Sequence, residues 1–205
     1  MFTGIVTALG TISKIEDRGD LRAVIACPFD PCHIAIGASI ACSGTCLTVV
    51  DRGGVAGDAW FAVDISGETI ACTVPGRWQV GSKLNLEPAL KLGDELGGHI
   101  VTGHVDGVGV VADISPAGDS KRIVISVSKE LAPYLAAKGS ITVDGASLTV
   151  NEVTDQADGT CHFALNVIPH TAEVTTLGAL AQGDKVNLEI DVLARYLQRM
   201  QSLRS

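Results

Sequence analysis

Apolar and polar residues alternate in stretches such as Arg122-Ile123-Val124-Ile125-Ser126-Val127-Ser128 and Lys185-Val186-Asn187-Leu188-Glu189-Ile190. A period of two marks strands with one face buried and the other wet. No helical stripe and no regular strand–helix–strand rhythm shows before the C-terminus. There, Leu193, Tyr196, Leu197, Met200 and Leu203 fall at i, i+3, i+4, i+7 and i+10, which predicts an amphipathic helix over 192–203. Such a helix must bury its stripe on its own domain or on another subunit. Frequent Val, Ile and Thr, punctuated by 23 glycines, point to mostly antiparallel β structure.

The pattern repeats. Residues 39–49, Ser-Ile-Ala-Cys-Ser-Gly-Thr-Cys-Leu-Thr-Val, align with residues 140–150, Ser-Ile-Thr-Val-Asp-Gly-Ala-Ser-Leu-Thr-Val, at an offset of 101. A second block at an offset of 102 matches Phe61 with Phe163, Thr69 with Thr171, Thr73 with Thr175 and Asn85-Leu86-Glu87 with Asn187-Leu188-Glu189. A fainter block sets Thr3-Gly4 and Gly10 against Thr102-Gly103 and Gly109 at an offset of 99. Three collinear blocks with nearly constant offset describe a tandem duplication with its seam near Gly93–Gly98. Each copy suits a small six-stranded barrel or sandwich. The expected division is one barrel over 1–97, a second over 98–190 and the helix over 191–205.

Composition narrows the function. The 205 residues carry a formal net charge of −8, which argues against binding a phosphate backbone, so no nucleic-acid partner is expected. Mean hydropathy is +0.33, yet no apolar run approaches the roughly 20 residues of a membrane span. The start Met1-Phe2-Thr3-Gly4-Ile5-Val6 lacks a charged leader, and the first lysine is Lys14; a cytoplasmic chain is expected. Six cysteines without a C-x-x-C then read as reduced thiols.

In extended chain, Cys46 and Thr48 share one face while Leu47 and Val49 share the other. Ser147 and Thr149 oppose Leu148 and Val150 in the same way. Branched apolar side chains fill small barrels, so each barrel carries a matching polar strip outside, which is either plain exterior or a binding surface. Lys138, Asp144 and His104 are the titratable groups expected near the second strip. His99 and His104, five apart, would point to opposite faces of one strand, which disfavours a shared metal; Cys32-His33 and Cys161-His162 also lack ligand spacing. Gly107-Val108-Gly109 has neither the third glycine nor the helix of a dinucleotide fingerprint, and no G-x-S-x-G elbow or Walker loop occurs.

Four segments together resemble riboflavin synthase of the α-chain type. They are the N-terminal hexapeptide, Cys46-Leu47-Thr48-Val49, the run Gly97-Gly98-His99-Ile100-Val101-Thr102-Gly103-His104-Val105, and Asp144-Gly145-Ala146-Ser147-Leu148-Thr149-Val150. Ile168-Pro169-His170-Thr171 and Thr175-Thr176-Leu177-Gly178 fit as well. The resemblance spans essentially the whole chain. It implies an all-β fold of two six-stranded antiparallel Greek-key barrels plus a C-terminal α-helix, assembled as a homotrimer through those helices. It implies a dismutation of two 6,7-dimethyl-8-ribityllumazine molecules: a four-carbon unit passes between them to give riboflavin and 5-amino-6-ribitylaminouracil, without cofactor or metal. One lumazine would lie on each barrel, with a site completed between the first barrel of one subunit and the second barrel of another. Association with lumazine synthase is a further possible partnership.

Carried over by motif, the first site takes Gly4, Ile5, Val6, Ser39, Cys46, Leu47, Thr48, Asp64, Ile65, Ser66, Gly67, Glu68 and Thr69. The second takes Gly103, His104, Val105, Lys138, Ser147, Leu148, Thr149, Asn166, Val167, Ile168, Pro169, His170 and Thr171. Ser147 and Thr149 are expected to hold the ring and His104 to orient or transfer a proton. Cys46, Ser39 and Thr48 would bind or activate the other lumazine, with Lys138 as the catalytic ammonium. Two departures from the family are Ser66-Gly67, smaller than usual, and His170, where relatives can carry Glu; His170 is assigned no catalytic role. The competing readings are a non-catalytic lumazine- or flavin-binding antenna protein, expected to have lost the polar groups of one pocket, and a flavin-reductase-like barrel, which would bring an Arg-x-Tyr-Ser-type motif and a nicotinamide domain that this chain lacks.

Overall fold

The computed structural model describes residues 1–203. The first repeat contains β1 (Ala8–Arg18), β2 (Asp20–Cys27), β3 (Ser39–Cys42), β4 (Thr45–Val55), β5 (Asp58–Ile65), α1 (Gly67–Cys72) and β6 (Lys83–Pro88). Its strands close into an antiparallel barrel in the order β1-β2-β5-β4-β3-β6, a Greek-key path. Alternation does the sorting. Ile12, Ile25, Phe61, Val63, Leu84 and Leu86 all point inward and are buried, while their neighbours along each strand face out.

The second repeat contains β7 (Gly107–Ala117), β8 (Ser120–Val127), β9 (Ser140–Val143), β10 (Ala146–Thr149), β11 (Glu152–Asp155), β12 (Cys161–Val167), α2 (Pro169–Val174) and β13 (Lys185–Ile190). It has seven strands rather than the expected six, in the order β10-β9-β13-β7-β8-β12-β11. The extra strand is a break, not an addition. β10 and β11 together match β4, which bulges between Val49 and Asp51. At the corresponding Val150-Asn151 the ladder is interrupted, although the Asn151 amide still donates to Ala164 O at 2.7 Å. The two edges of the second sheet are therefore halves of one strand, and the chain itself closes the ring. Ile123, Ile125, Phe163, Leu165, Val186 and Leu188 form its core.

The repeated Asn85 and Asn187 join the barrels. Asn85 Nδ2 donates to Asp144 O and its Oδ1 accepts from the Thr176 amide, both at 2.8 Å. Asn187 makes the reciprocal pair, with Ser43 O at 2.9 Å and the Val74 amide at 2.8 Å. Both side chains are buried, and four polar groups would be left unsatisfied without them. The tips they reach are two-residue hairpins, Ser43-Gly44 and Asp144-Gly145, with φ of 45° and 82° in each. Positive φ at both central residues gives the turn whose twist suits a tight hairpin.

The C-terminal helix α3 (Val192–Ser202) starts on Asp191, whose Oδ1 accepts from the Leu193 amide at 2.9 Å. Leu203 caps it; Arg204 and Ser205 of the expected 191–205 segment lie outside the described residues. Arg195 anchors α3 to Asp106 at 2.7 Å. Leu193, Tyr196, Leu197, Met200 and Leu203 are each more than half exposed, so the stripe finds no cover on its own barrel. No helix among the described residues is long and apolar enough to cross a membrane.

Candidate active site

In the first barrel Ser39 pairs with Thr48 and Ala41 with Cys46 across β3 and β4. In the second, Ser140 pairs with Thr149 and Thr142 with Ser147 across β9 and β10. Directly opposed residues project to the same face, so each barrel carries a patch of small polar groups. Leu47, Val49 and Val150 are buried while Thr48 and Thr149 are exposed, as the alternation predicts. Lys138 stands just before β9 at φ 67°, where the first repeat has Gly37 at φ 84°. A lysine held in left-handed backbone is strained, and its amide is fixed to Val150 O at 2.7 Å, at the end of the Ser147/Thr149 strip.

The grouping of the remaining residues differs from the one expected. Gly4 and Val6 lie against the second barrel rather than the first, while Ile5 lines a pocket with Thr3, Thr7 and Glu87 of the first repeat. Gly4 O accepts from the Ser147 amide at 2.7 Å, and Val6 packs against the second core. Conversely Gly103 O accepts from the Cys46 amide at 2.8 Å, and His104 shares a pocket with Cys46. The repeats have exchanged straps: each barrel's strip is flanked by the segment that precedes the other barrel. The cause lies before β1 and β7, where Phe2 and Val101 pair through reciprocal amide bonds of 2.8 and 3.1 Å. That crossing carries each strap over to its neighbour. Asp144, also expected at the second strip, instead points to Arg77 of the first repeat at 2.8 Å.

The pocket beside Cys46 has a volume of about 200 Å³; Thr45, Cys46, Glu68, Thr69, Cys72, Thr73, Gly103, His104 and Val105 line it. Helix α1 supplies Glu68 and Thr69 because Ser66 Oγ caps it, accepting from the Thr69 amide at 3.2 Å. In the second repeat Ile168 holds that place without a side-chain bond, and Pro169 at the first helical position starts α2 instead. Ser66, Gly67, Ile168, Pro169 and His170 are exposed at these helix starts, with Thr171 half-buried. Ile65 and Val167 are core residues and offer only backbone. Asp64 is occupied: Arg22 donates to both its oxygens at 2.8 and 3.0 Å, which holds its carboxyl below the usual range. Asn166, its counterpart, is exposed, and Leu148 is half-buried. Ser39 lines a separate apolar pocket of about 230 Å³ that includes Phe29, His33 and Lys91.

Sequence reasoning missed His99. Its Nδ1 lies 2.7 Å from Ser147 Oγ, and its backbone amide donates to Thr3 O of the crossing strap at 3.1 Å. Burial lowers its pKa, which keeps the imidazole neutral and able to take a proton from the hydroxyl. No position in the first repeat matches His99, so the duplication did not expose it. The two strips thus differ in chemistry. One has a thiol, hydroxyls and His104; the other has hydroxyls, a neutral His99 and Lys138. A cavity of about 560 Å³ lies elsewhere, between the barrels at Val74–Arg77 and Gly183–Lys185; it touches neither strip.

Comparison with known proteins agrees with this architecture. Residues 3–89 and 102–191 each match the family described as the lumazine binding domain. Riboflavin synthase of Brucella abortus (strain 2308) is 46% identical, covering 98% of both chains. Riboflavin synthase of Mycobacterium tuberculosis H37Rv is 43% identical, also over 98% of each. The crystal structure of LumP complexed with riboflavin matches with a TM-score of 0.76 at 28% identity, covering 93% of this chain and 99% of that one. That of LumP complexed with 6,7-dimethyl-8-(1'-D-ribityl) lumazine gives 0.75 at 27%.

Proposed function

We propose how this chain, which belongs to the lumazine-binding family of riboflavin synthases, divides its reaction between two unlike pockets. The activity is riboflavin synthase activity, a transferase reaction in which one 6,7-dimethyl-8-ribityllumazine gives a four-carbon unit to a second, leaving 5-amino-6-ribitylaminouracil and riboflavin. A dismutation needs two copies of one substrate face to face. Two related barrels provide two related seats, and holding both reactants in register contributes roughly 7–11 kcal/mol in well-oriented systems. The observation that carries the reading is the pair of matching strips, each bounded by a strap from the other repeat.

In the first pocket Cys46, Thr48 and His104 bind one lumazine, with Glu68 and Thr69 at its edge and Ser39 on the adjoining strand. In the second pocket Ser147 and Thr149 hold the other ring. Lys138 supplies positive charge for a ring anion, and His99 takes or returns a proton through Ser147 Oγ. The 7-methyl proton of the lumazine is already acidic, because its anion delocalises over the ring. The protein therefore needs only proton carriers and anion-stabilising donors. Asn166–Thr171 and Asp64–Thr69 form the outer walls.

The chain acts in the cytoplasm as a homotrimer whose α3 helices cover one another's stripes, with barrels 1–97 and 98–190 and the helical segment 191–205 as its units; lumazine synthase is a candidate associate. The uncovered stripe supports this. So does pocket size, since about 200 Å³ is below the 300–1,000 Å³ of a complete small-molecule site. A second subunit facing the strip would complete it. An antenna protein needs one pocket only, and here both strips keep their polar groups. The test is purified protein with the lumazine in buffer containing a chelator, followed by chromatography. One riboflavin per two lumazines consumed is expected; bound but unchanged lumazine would make the chain an antenna protein.

A further inference from the structure

The two straps are held by the same device, and it is crossed between barrels. Glu87 lies on β6 of the first barrel and is 6% exposed. Its Oε1 accepts from the Thr3 amide at 2.6 Å and Thr3 Oγ1 at 2.8 Å, and its Oε2 from the Gly4 amide at 3.0 Å. Glu189 lies on β13 of the second barrel and is 3% exposed. It accepts from the Thr102 amide at 2.7 Å, Thr102 Oγ1 at 2.6 Å and the Gly103 amide at 2.9 Å. Each glycine then turns its carbonyl to the opposite barrel, Gly4 to the Ser147 amide and Gly103 to the Cys46 amide. No side chain fits at either glycine. A Cβ on Gly4 would stand 2.6 Å from Ser147 Cβ, and one on Gly103 2.6 Å from Cys46 Cβ.

We propose that Glu87 and Glu189 are crossed positioning residues: each is rooted in one barrel and sets the geometry of the pocket on the other. This rests on the two-pocket reading above. Glu87 locks Gly4 and so sets its carbonyl on the Ser147 amide; Glu189 locks Gly103 and so sets His104 beside Cys46. Both sites require a carboxylate. Three donors converge on two acceptor oxygens, and a glutamine would turn its NH2 towards a backbone N–H that already donates. A buried carboxylate with three donors is also tolerable where a bare one is not. The arrangement ties the pockets together, because neither barrel can shift β6 or β13 without moving a wall of the other's site.

The test has two readouts. In amide hydrogen exchange, Glu189→Gln should speed exchange of the Cys46 amide at least tenfold while Ser147 keeps its rate, and Glu87→Gln should do the reverse. In riboflavin formation, Glu189→Gln should lower kcat at least tenfold in the wild-type chain and less than about twofold in a His104→Ala background, with its full effect in a Ser147→Ala background. If either glutamine variant fails to fold, Thr102→Val deletes one donor to Glu189, and Thr3→Val deletes one donor to Glu87 together with the acceptor of the Ile5 amide; both should show the same crossed pattern more weakly. Exchange that rises equally at Cys46 and Ser147, or that rises on the carboxylate's own barrel, overturns the proposal; so do kcat losses that multiply in full in every background. A wild-type protein that forms no riboflavin would remove the synthase reading, and the exchange experiment would still decide the crossed clasp.

Discussion

Two residues at the straps and strips carry most of the local consequence. Burial holds the His99 pKa below the roughly 6.5 of a free histidine, so the protonation that would silence it as a base falls below that value. The acid limb of kcat/KM is expected there. His99→Asn should lower kcat about a hundredfold or more, the range of a lost general base, and remove that limb from the pH profile; an unchanged limb would assign it to another group. At Gly103, φ is +79° and Cys46 and the Phe2 ring close over the space a side chain would need. Gly103→Ala should cost about 1–3 kcal/mol by denaturant titration and impair the first pocket far more than the second.

At the scale of elements, the joint between the barrels is polar and buried. Arg77 donates to both oxygens of Asp144, a carboxylate with 1% of its side chain exposed. Burial raises the Asp144 carboxyl while Arg77 and the Asn187 amide oppose the shift. Arg77→Met would leave the charge without its cation, at a cost of roughly 3–5 kcal/mol. A folded acid with a raised pKa binds its proton more tightly than the unfolded chain does, so stability from this group falls as pH rises through the folded pKa. The variant's deficit, read from urea midpoints, should therefore be smaller at pH 5 than at pH 8. The alternation at Lys185–Ile190 and the repeated Asn85-Leu86-Glu87 made both barrels and their inward Leu residues legible from sequence. They did not reveal that the repeated Asn side chains reach the other repeat, or that each repeated Glu clasps its own strap, whose carbonyl then crosses to the other barrel, because a repeat alignment records equivalence and not contact. The interruption at Val150-Asn151 was equally hidden, since only hydrogen-bond register separates a bulge from a break.

For the whole molecule, the exposed stripe of α3 and the two open strips belong to one argument. The helix was legible from its spacing, and its lack of cover became visible only with the barrel in place. Deleting residues 192–205 should convert the proposed homotrimer to monomers by sedimentation and reduce riboflavin formation to a small fraction, with both barrels still folded by circular dichroism. The duplication supplies two seats and the exchanged straps make them unlike; in the proposed homotrimer a neighbouring subunit brings them face to face. Mixing two defective proteins tests that account most directly. One carries His104→Ala in the first pocket, the other His99→Ala in the second, and the subunits are exchanged by mild denaturation and refolding. If sites form between the first barrel of one chain and the second barrel of another, mixed assemblies regain a substantial fraction of wild-type riboflavin formation. Should the mixture stay as inactive as its components while subunit exchange is complete, each site lies within a single chain and the account is wrong.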